Sequence, residues 1–139
     1  MQLLSNDSRL SYRKIAKKLG ISHANVSAKI RRYEDHNVIR GYTIVLDPEQ
    51  LDLYSLCLRI SVRSGADLSA IGRRVADFDH VSIVLRVSGD CDLLVLAACK
   101  NRQEAISLIS DISGVQGIDK VESHVVLETL KIAGKKLKD

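Results

Sequence analysis

Two groups of residues in this chain have the types and spacing that binding chemistry requires. The first is the turn Gly89-Asp90-Cys91-Asp92. Glycine lets a ligand approach the backbone, and either carboxylate can accept charge-assisted hydrogen bonds from an ammonium group. The same residues also suit an ordinary hairpin turn in which Asp90 bonds its own backbone. The residues alone leave both interpretations open.

The second group lies on a short helix that is predicted to follow Ser22. The carboxamide of Asn25 can pair with an adenine edge through two hydrogen bonds, and Ala24 or Ala28 can touch a thymine methyl group. Local capping or a phosphate contact is the alternative role for Asn25. Neighbouring polar and basic side chains suit DNA phosphates. The candidate DNA-binding residues are Tyr12, Arg13, Lys14, Ser22, His23, Ala24, Asn25, Ser27, Ala28, Lys29, Arg31 and Arg32.

A helix-turn-helix would position these side chains. The spacing of apolar residues predicts two short helices, and Gly20 between them can adopt the left-handed conformation that ends a helix. The hydroxyl of Ser22 can cap the second helix. The predicted inward-facing residues are Ile15, Ala16 and Leu19 in the first helix and Val26, Ile30 and Tyr33 in the second.

Positive charge is concentrated in the same region. Residues 1–46 contain nine Lys/Arg and three Asp/Glu, a net charge of +6, whereas residues 47–139 contain twelve and fourteen, a net charge of −2. This division indicates a module that binds a polyanion and a second module with another task. Chance clustering of solvated lysines is the alternative.

The chain has no recognisable pattern for a metal centre or for catalysis. Cys57, Cys91 and Cys99 form no CxxC or Cys/His cluster, and an odd count without a secretory signal predicts a reducing cytoplasm. No HExxH motif, Ser/His or Cys/His pairing, or phosphate-cradling glycine loop is present. We therefore predict no catalytic residue, no metal, no cofactor and no enzyme activity. The longest apolar stretches are too short to span a bilayer, so no membrane partner is predicted.

The only proline, Pro48, divides the chain. Before it, the β-branched residues of 38–46 predict extended structure, a two-stranded wing beside the helices. Proline breaks this pattern, so residues 47–54 are predicted to form a hinge. The predicted organisation is a winged helix-turn-helix domain at 1–46, the hinge, a second domain at 55–131 and a basic tail at 132–139.

The second domain alternates strands and helices in the order βαββαβ. The predicted strands are 55–63, 80–88, 92–99 and 118–130. The first predicted helix, 68–78, has the inner residues Leu68, Ile71, Val75 and Phe78. The second, 103–112, has the inner residues Ala105, Ile106, Ile109 and Ile112. The result is an α+β fold, a ferredoxin-like sandwich with two helices on one face of an antiparallel sheet. Strands that are apolar at successive positions predict that a second copy covers the other face. An amphipathic sheet with a wet face is the alternative.

Four stretches in register resemble the Lrp/AsnC family of bacterial and archaeal transcription regulators. They are residues 15–22, residues 38–48, residues 88–95 with a G-D-x-D signature, and residues 114–115 with 125–127. The resemblance covers nearly the whole chain. It implies a winged helix-turn-helix joined to an effector domain called the RAM domain. Such proteins dimerise through the sheet, often assemble into octamers, and in many cases bind an amino acid or related metabolite between neighbouring RAM domains.

The resemblance also implies an effector site. This chain departs from the family pattern at two places, the first helix and Cys91. Arg102 can bind a ligand carboxylate or lie at a solvated helix start. The first helix is expected to be truncated to its final turn, within residues 1–7, and Cys91 stands where an aromatic or aliphatic residue is common. The candidate effector-binding residues are Gly89, Asp90, Asp92, Arg102, His124, Val125 and Val126.

The predicted function is therefore a sequence-specific regulator that binds double-stranded DNA and whose assembly or DNA affinity responds to a small-molecule effector. One alternative is an effector-binding oligomerisation partner with weak or no DNA binding. Another is an amino-acid-binding regulatory module of a metabolic enzyme. The basic tail, with Lys131, Lys135, Lys136 and Lys138, is expected to be a disordered, solubilising end rather than a nonspecific DNA contact.

Overall fold

The computed structural model describes residues 1–137, which form two compact units. One unit contains residues 1–46 together with residues 131–137, and the other contains residues 47–130. Within the described residues, no helix has the length and apolar composition needed to cross a membrane.

The first unit is built on a helix-turn-helix whose ends are formed by local hydrogen bonds. Its helices are α1 (Gln2–Asn6), α2 (Tyr12–Leu19) and α3 (His23–Asp35). Ser22 Oγ accepts a hydrogen bond from Asn25 N at 3.1 Å, which satisfies a backbone donor at the start of α3. Gly20 ends α2 with a φ of 63° in the left-handed region. The predicted cap and the predicted helix stop are both confirmed.

The core of this unit is small, and one predicted core residue lies outside it. Ile15, Ala16, Val26 and Ile30 are buried between α2 and α3. The prediction that Leu19 is buried is wrong, because its exposed fraction is 55 %. The five-residue α1 does not cover the last turn of α2, so Leu19 lines an open apolar groove. The predicted inward-facing Tyr33 is only partly buried.

Residues 38–46 do not form the predicted two-stranded wing. No strand is present in this part of the described chain. Extended backbone forms a hydrogen-bonded ladder only beside a partner strand. This segment has no such partner among the described residues and folds back on α3 instead. Tyr42 Oη donates a hydrogen bond to Glu34 Oε1 at 2.8 Å. That bond, with smaller contributions from burial and from the Glu34 charge, raises the pKa of Tyr42 to about 12.

The second unit is a four-stranded antiparallel sheet with two helices. Its elements are β1 (Tyr54–Val62), α4 (Leu68–Ala76), β2 (Val81–Arg86), β3 (Leu93–Cys99), α5 (Arg102–Ser113) and β4 (Ile118–Val125). The strand order is β2-β3-β1-β4, which confirms the predicted ferredoxin-like arrangement. However, β4 ends five residues before the predicted 130. Because β1 begins at Tyr54, residues beyond Leu127 have no strand to pair with.

Alternation along the central strands separates a helix-covered face from an open face. Leu56, Leu58 and Ile60 of β1 are buried against the helices, as is every second residue of β3. The predicted inner residues Ile71 and Val75 of α4 are buried, and Leu68 and Phe78 pack against the same core.

The inner stripe of α5 differs from the predicted one by one position. The helix buries Ala105, Leu108 and Ile112, while Ile106 is 49 % exposed. Ile106 points about 100° away from Ala105 around the helix, so it leaves the stripe that faces the sheet.

The C-terminal residues form a hairpin rather than the expected disordered tail. Its strands are β5 (Lys131–Ile132) and β6 (Lys135–Lys136), which pair antiparallel. The turn residues Ala133 and Gly134 have φ values of 46° and 79°. Positive φ at both central residues is the requirement of a tight hairpin turn that matches the twist of its strands. Lys138 of the predicted tail lies outside the described residues.

Candidate DNA-binding and effector sites

The start of α3 presents a helix surface that suits the DNA major groove. His23, Ala24, Asn25 and Ala28 are exposed, while Val26 on the other side is buried in the core. Ser22 supplies the helix cap, so the carboxamide of Asn25 is not used for that purpose. Small side chains beside one carboxamide allow a helix to approach base edges closely.

The other candidate DNA-binding residues surround this surface on the two helices. The ring of Tyr12 at the start of α2 lies beside the ring of His23 at the start of α3, with centroids 5.8 Å apart and planes tilted by 51°. This contact brings the first turns of the two helices together. Ser27 is half-buried. The exposed cations are Arg13 and Lys14 on α2 and Lys29, Arg31 and Arg32 on α3.

The turn of the G-D-x-D signature connects β2 to β3. Gly89 has a φ of 118°, in a region that favours glycine. The carboxylate of Asp90 pairs with the guanidinium of Arg59 on β1, and Arg59 Nη1 also lies 3.6 Å from Glu122 Oε2 on β4. The Arg59 hydrogen bond and its charge hold the pKa of Asp90 below its usual value. Asp90 is therefore ionised around neutral pH and already has a cationic partner.

Asp92 has a different role in the same turn. Its Oδ2 accepts a hydrogen bond from Val62 N at 2.8 Å, and its backbone N–H donates to Ile60 O at 2.9 Å. These two bonds tie the beginning of β3 to the end of β1. Because its side chain closes the sheet, Asp92 serves the architecture of the turn.

A polar cluster lies on the open face of the sheet next to this turn. Arg59 pairs in register with Glu122, and Cys57 pairs with His124, so these side chains share the face away from the helices. Lys120 Nζ donates to Glu122 Oε1 at 2.7 Å, and this bond is the main reason that the pKa of Glu122 is lowered. The charge of His124 makes a smaller contribution to the same lowering.

Sequence reasoning missed Arg59 and Glu122. The signal for Arg59 was its position in an otherwise apolar strand, where Cys57, Arg59 and Ser61 alternate with Leu58 and Ile60. Glu122 becomes significant only through its register with Arg59, which the sequence does not reveal.

Three other candidate effector residues lie at the far end of the sheet. Arg102 begins α5 after the end of β3, whereas the Gly89 turn precedes β3. The seven residues of β3 separate these two points by about 20 Å. Val125 pairs with Leu56 on the helix-covered side, and Val126 N donates to Ser55 O. One copy of the chain thus does not bring all seven candidate effector residues together.

Within the described residues, no group of three or more His, Cys, Asp or Glu side chains could hold a metal ion. The arrangement provides charged and hydrogen-bonding groups for an organic ligand.

These features define a class of protein, a helix-turn-helix DNA-binding module joined to an αβ sandwich with a polar cluster on its open face. Residues 1–40 match the family model described as winged helix-turn-helix DNA-binding, and residues 55–135 match the Lrp/AsnC ligand binding domain. The protein belongs to the Lrp/AsnC family of HTH-type transcriptional regulators.

Comparison with individual proteins agrees over almost the full length. The chain is 36 % identical over 132 residues to an uncharacterized HTH-type transcriptional regulator of Pyrococcus furiosus, covering 94 % of this chain and 88 % of the relative. It is 31 % identical over 133 residues to the HTH-type transcriptional regulator LrpA of Pyrococcus horikoshii, covering 94 % of each chain. A feast or famine regulatory protein from M. tuberculosis, solved in complex with L-methionine, has the same fold, with a TM-score of 0.84 and 20 % identity over 99 % of this chain and 93 % of that one.

The two aspartates of the turn allow a matched test of their roles. We expect Asp92→Ala to destabilise the fold by about 1–3 kcal/mol, because it leaves the partly buried Val62 N–H without its charged acceptor. Asp90→Ala removes only a solvent-exposed ion pair, so it should change the stability little. Urea unfolding followed by circular dichroism measures both. Equal losses in the two variants would contradict the assignment.

Proposed function

We propose that this protein is a sequence-specific DNA-binding transcription regulator whose DNA affinity or assembly responds to an amino acid or a related small metabolite. The observation that carries the proposal is the exposed start of α3, with Asn25 between small side chains, in the same chain as an Lrp/AsnC ligand binding domain. No catalytic step is assigned to any residue. The unpaired cysteines suit the reducing cytoplasm in which such a regulator would meet its DNA.

Charge supports the DNA-binding half of the proposal. The segment 1–46 has a net charge of +6, and its exposed cations flank the start of α3 on both helices. Ser22, Ser27, Arg13, Lys14 and Arg31 are suited to phosphate contacts, which fix the position of the protein on the duplex. Base contacts from Asn25 then add the sequence preference.

The open face of the sheet supports assembly with a second copy. Ile83 and Leu85 on β2 are 40 % and 48 % exposed, and they pair with Leu96 and Leu94 on β3, so the four side chains form one apolar patch. The two helices pack only on the other face. A second copy of the same sheet is the occupant that we assign to this patch, and a dimer also supplies two helix-turn-helix modules for two half-sites.

The polar cluster supports an amino-acid effector. An α-amino acid carries one carboxylate and one ammonium group, and the exposed Arg59–Asp90 pair offers a partner for each. The M. tuberculosis relative of this fold binds L-methionine. Because Arg102, Val125 and Val126 lie at the far end of the sheet, they can join this site only through a neighbouring copy.

DNA recognition is tested through Asn25. Sequences bound by the wild type are first selected from a random duplex pool and then used in gel retardation at two salt concentrations. Asn25→Ala should weaken binding to the selected sequence by about 5- to 150-fold, corresponding to about 1–3 kcal/mol, because it loses a bidentate base contact. Its binding to random DNA should hardly change.

Gln103→Ala is the matched control, since it truncates an exposed carboxamide on α5 of the other unit. If the wild type retards no DNA even at low salt, the protein is not a DNA-binding regulator. If the Asn25→Ala variant instead keeps the sequence preference of the wild type, Asn25 does not contact the bases.

Assembly is tested by placing a charge in the apolar patch. Leu85→Lys should convert the dimer to a monomer, because a buried unpaired ammonium would oppose packing of the two sheets. Ile106→Lys is the control, because Ile106 is exposed to the same degree, 49 % against 48 %, but lies on α5. Sedimentation equilibrium gives the mass of each variant. A wild-type monomer, or a Leu85→Lys variant that stays dimeric, would exclude this interface.

Effector binding is tested by a thermal-shift screen of the twenty standard amino acids. A ligand that binds only the native state stabilises it by about 2.7 kcal/mol at a hundred times its Kd. Asp90→Asn should abolish the shift given by the active compound, because it removes the carboxylate partner of the ammonium group. Asp111→Asn, a neutralised exposed carboxylate on α5, should retain it. If no amino acid shifts the wild-type melting temperature at millimolar concentration, an amino acid is not the effector.

A further inference from the structure

The C-terminal hairpin belongs to the same compact unit as the helix-turn-helix. Residues 131–137 cluster with residues 1–46, although residues 47–130 separate them in sequence. The ammonium group of Lys135 donates a hydrogen bond to the backbone carbonyl of Asn6, the last residue of α1. The hairpin is therefore anchored to the DNA-binding unit by a specific contact.

The hairpin also lies beside the segment in which the sequence predicted a wing. Ala133 and Lys135 line the same open cleft as residues 38–45, the segment that follows α3. Arg9 and Arg40 line this cleft as well, so three parts of the chain contribute a cation to its lining, together with the carboxylate of Asp7. Residues 38–46, which follow α3, form no two-stranded element by themselves. The hairpin supplies such an element beside them.

The charges of the hairpin are arranged unfavourably for a structure in isolation. Lys131 pairs directly with Lys136 across the two strands, and both side chains are exposed. Like charges at directly opposed positions destabilise a strand pair. A two-stranded hairpin with only two paired residues in each strand is also marginal in water. An external polyanion would relieve the repulsion between the two ammonium groups.

We propose that the hairpin β5–β6 is the wing of the DNA-binding unit, in which Lys131 and Lys136 contact DNA phosphates and Lys135 holds the hairpin against α1. This inference rests on the proposed DNA-binding function. DNA fits better than a small anionic metabolite, because the two lysines are exposed at the surface and a phosphate backbone needs no enclosing pocket. The hairpin adds affinity without adding sequence preference.

The test measures how DNA binding depends on salt. Each phosphate neutralised contributes about −0.9 to the slope of log K against log salt concentration. The double variant Lys131→Gln/Lys136→Gln should therefore have a slope less negative by about 1–2 for each bound protomer. On a duplex of random sequence, raising the salt concentration about fourfold should reduce the affinity of both proteins. The reduction should be about tenfold larger for the wild type than for this variant, per bound protomer.

Two further double variants control for charge and for folding. Lys131→Arg/Lys136→Arg keeps the positive charges and should retain the wild-type slope. Arg73→Gln/Lys100→Gln removes two exposed charges from the other unit and should also retain it. The melting temperatures of the two control variants, measured by circular dichroism, should equal that of the wild type, since each changed side chain is exposed. The melting temperature of Lys131→Gln/Lys136→Gln should be equal or higher, because this variant removes the repulsion between two opposed ammonium groups.

The outcomes separate this inference from the function on which it rests. If the wild type binds the duplex and the Gln variant has the same slope, the hairpin is not a DNA contact, while the regulator function stands. If the slope of the Arg73→Gln/Lys100→Gln control becomes less negative by as much as that of the hairpin variant, the effect is one of net charge and the wing assignment fails. A wild type that binds no duplex at low salt would overturn both proposals.

Discussion

A sheet has two faces, and in this protein the helices cover only one. On the covered face, Leu58, Ile60 and Val95 are fully buried, whereas Ile83 and Leu85 on the other face remain 40 % and 48 % exposed. The same alternation that fills the core places Arg59 and Glu122 on the open face, next to that apolar patch. Apolar area and charged groups therefore lie side by side on one surface of the sheet.

The turn between β2 and β3 shows how one short signature serves both the architecture and a candidate site. Asp92 turns inward to bond Val62 N, and this closes the end of the sheet. With that end fixed, Gly89 and Asp90 are presented at the edge of the open face, where the Asp90 carboxylate meets Arg59.

Local patterns predicted most of the fold, and most of the failures have a common cause. Caps and alternation act between residues that are neighbours in sequence, so Ser22, Gly20 and the buried rows of β1 and β3 were predictable. Leu19, residues 38–46 and the end of β4 were mispredicted because their environment depends on segments far away in the chain. The same applies to Glu122, whose role depends on its register with Arg59. Ile106 was mispredicted for a local reason, because it lies one position away from Ala105 on α5 and therefore outside the stripe that faces the sheet.

The DNA-binding unit draws on both ends of the chain. Its core has four buried residues, against fourteen in the other unit, so its stability depends strongly on peripheral contacts. One such contact comes from Lys135, which follows the last strand of the ligand-binding sheet and reaches Asn6 near the start of the chain. The two units are consequently connected by two covalent segments, one before β1 and one after β4, rather than by a single hinge.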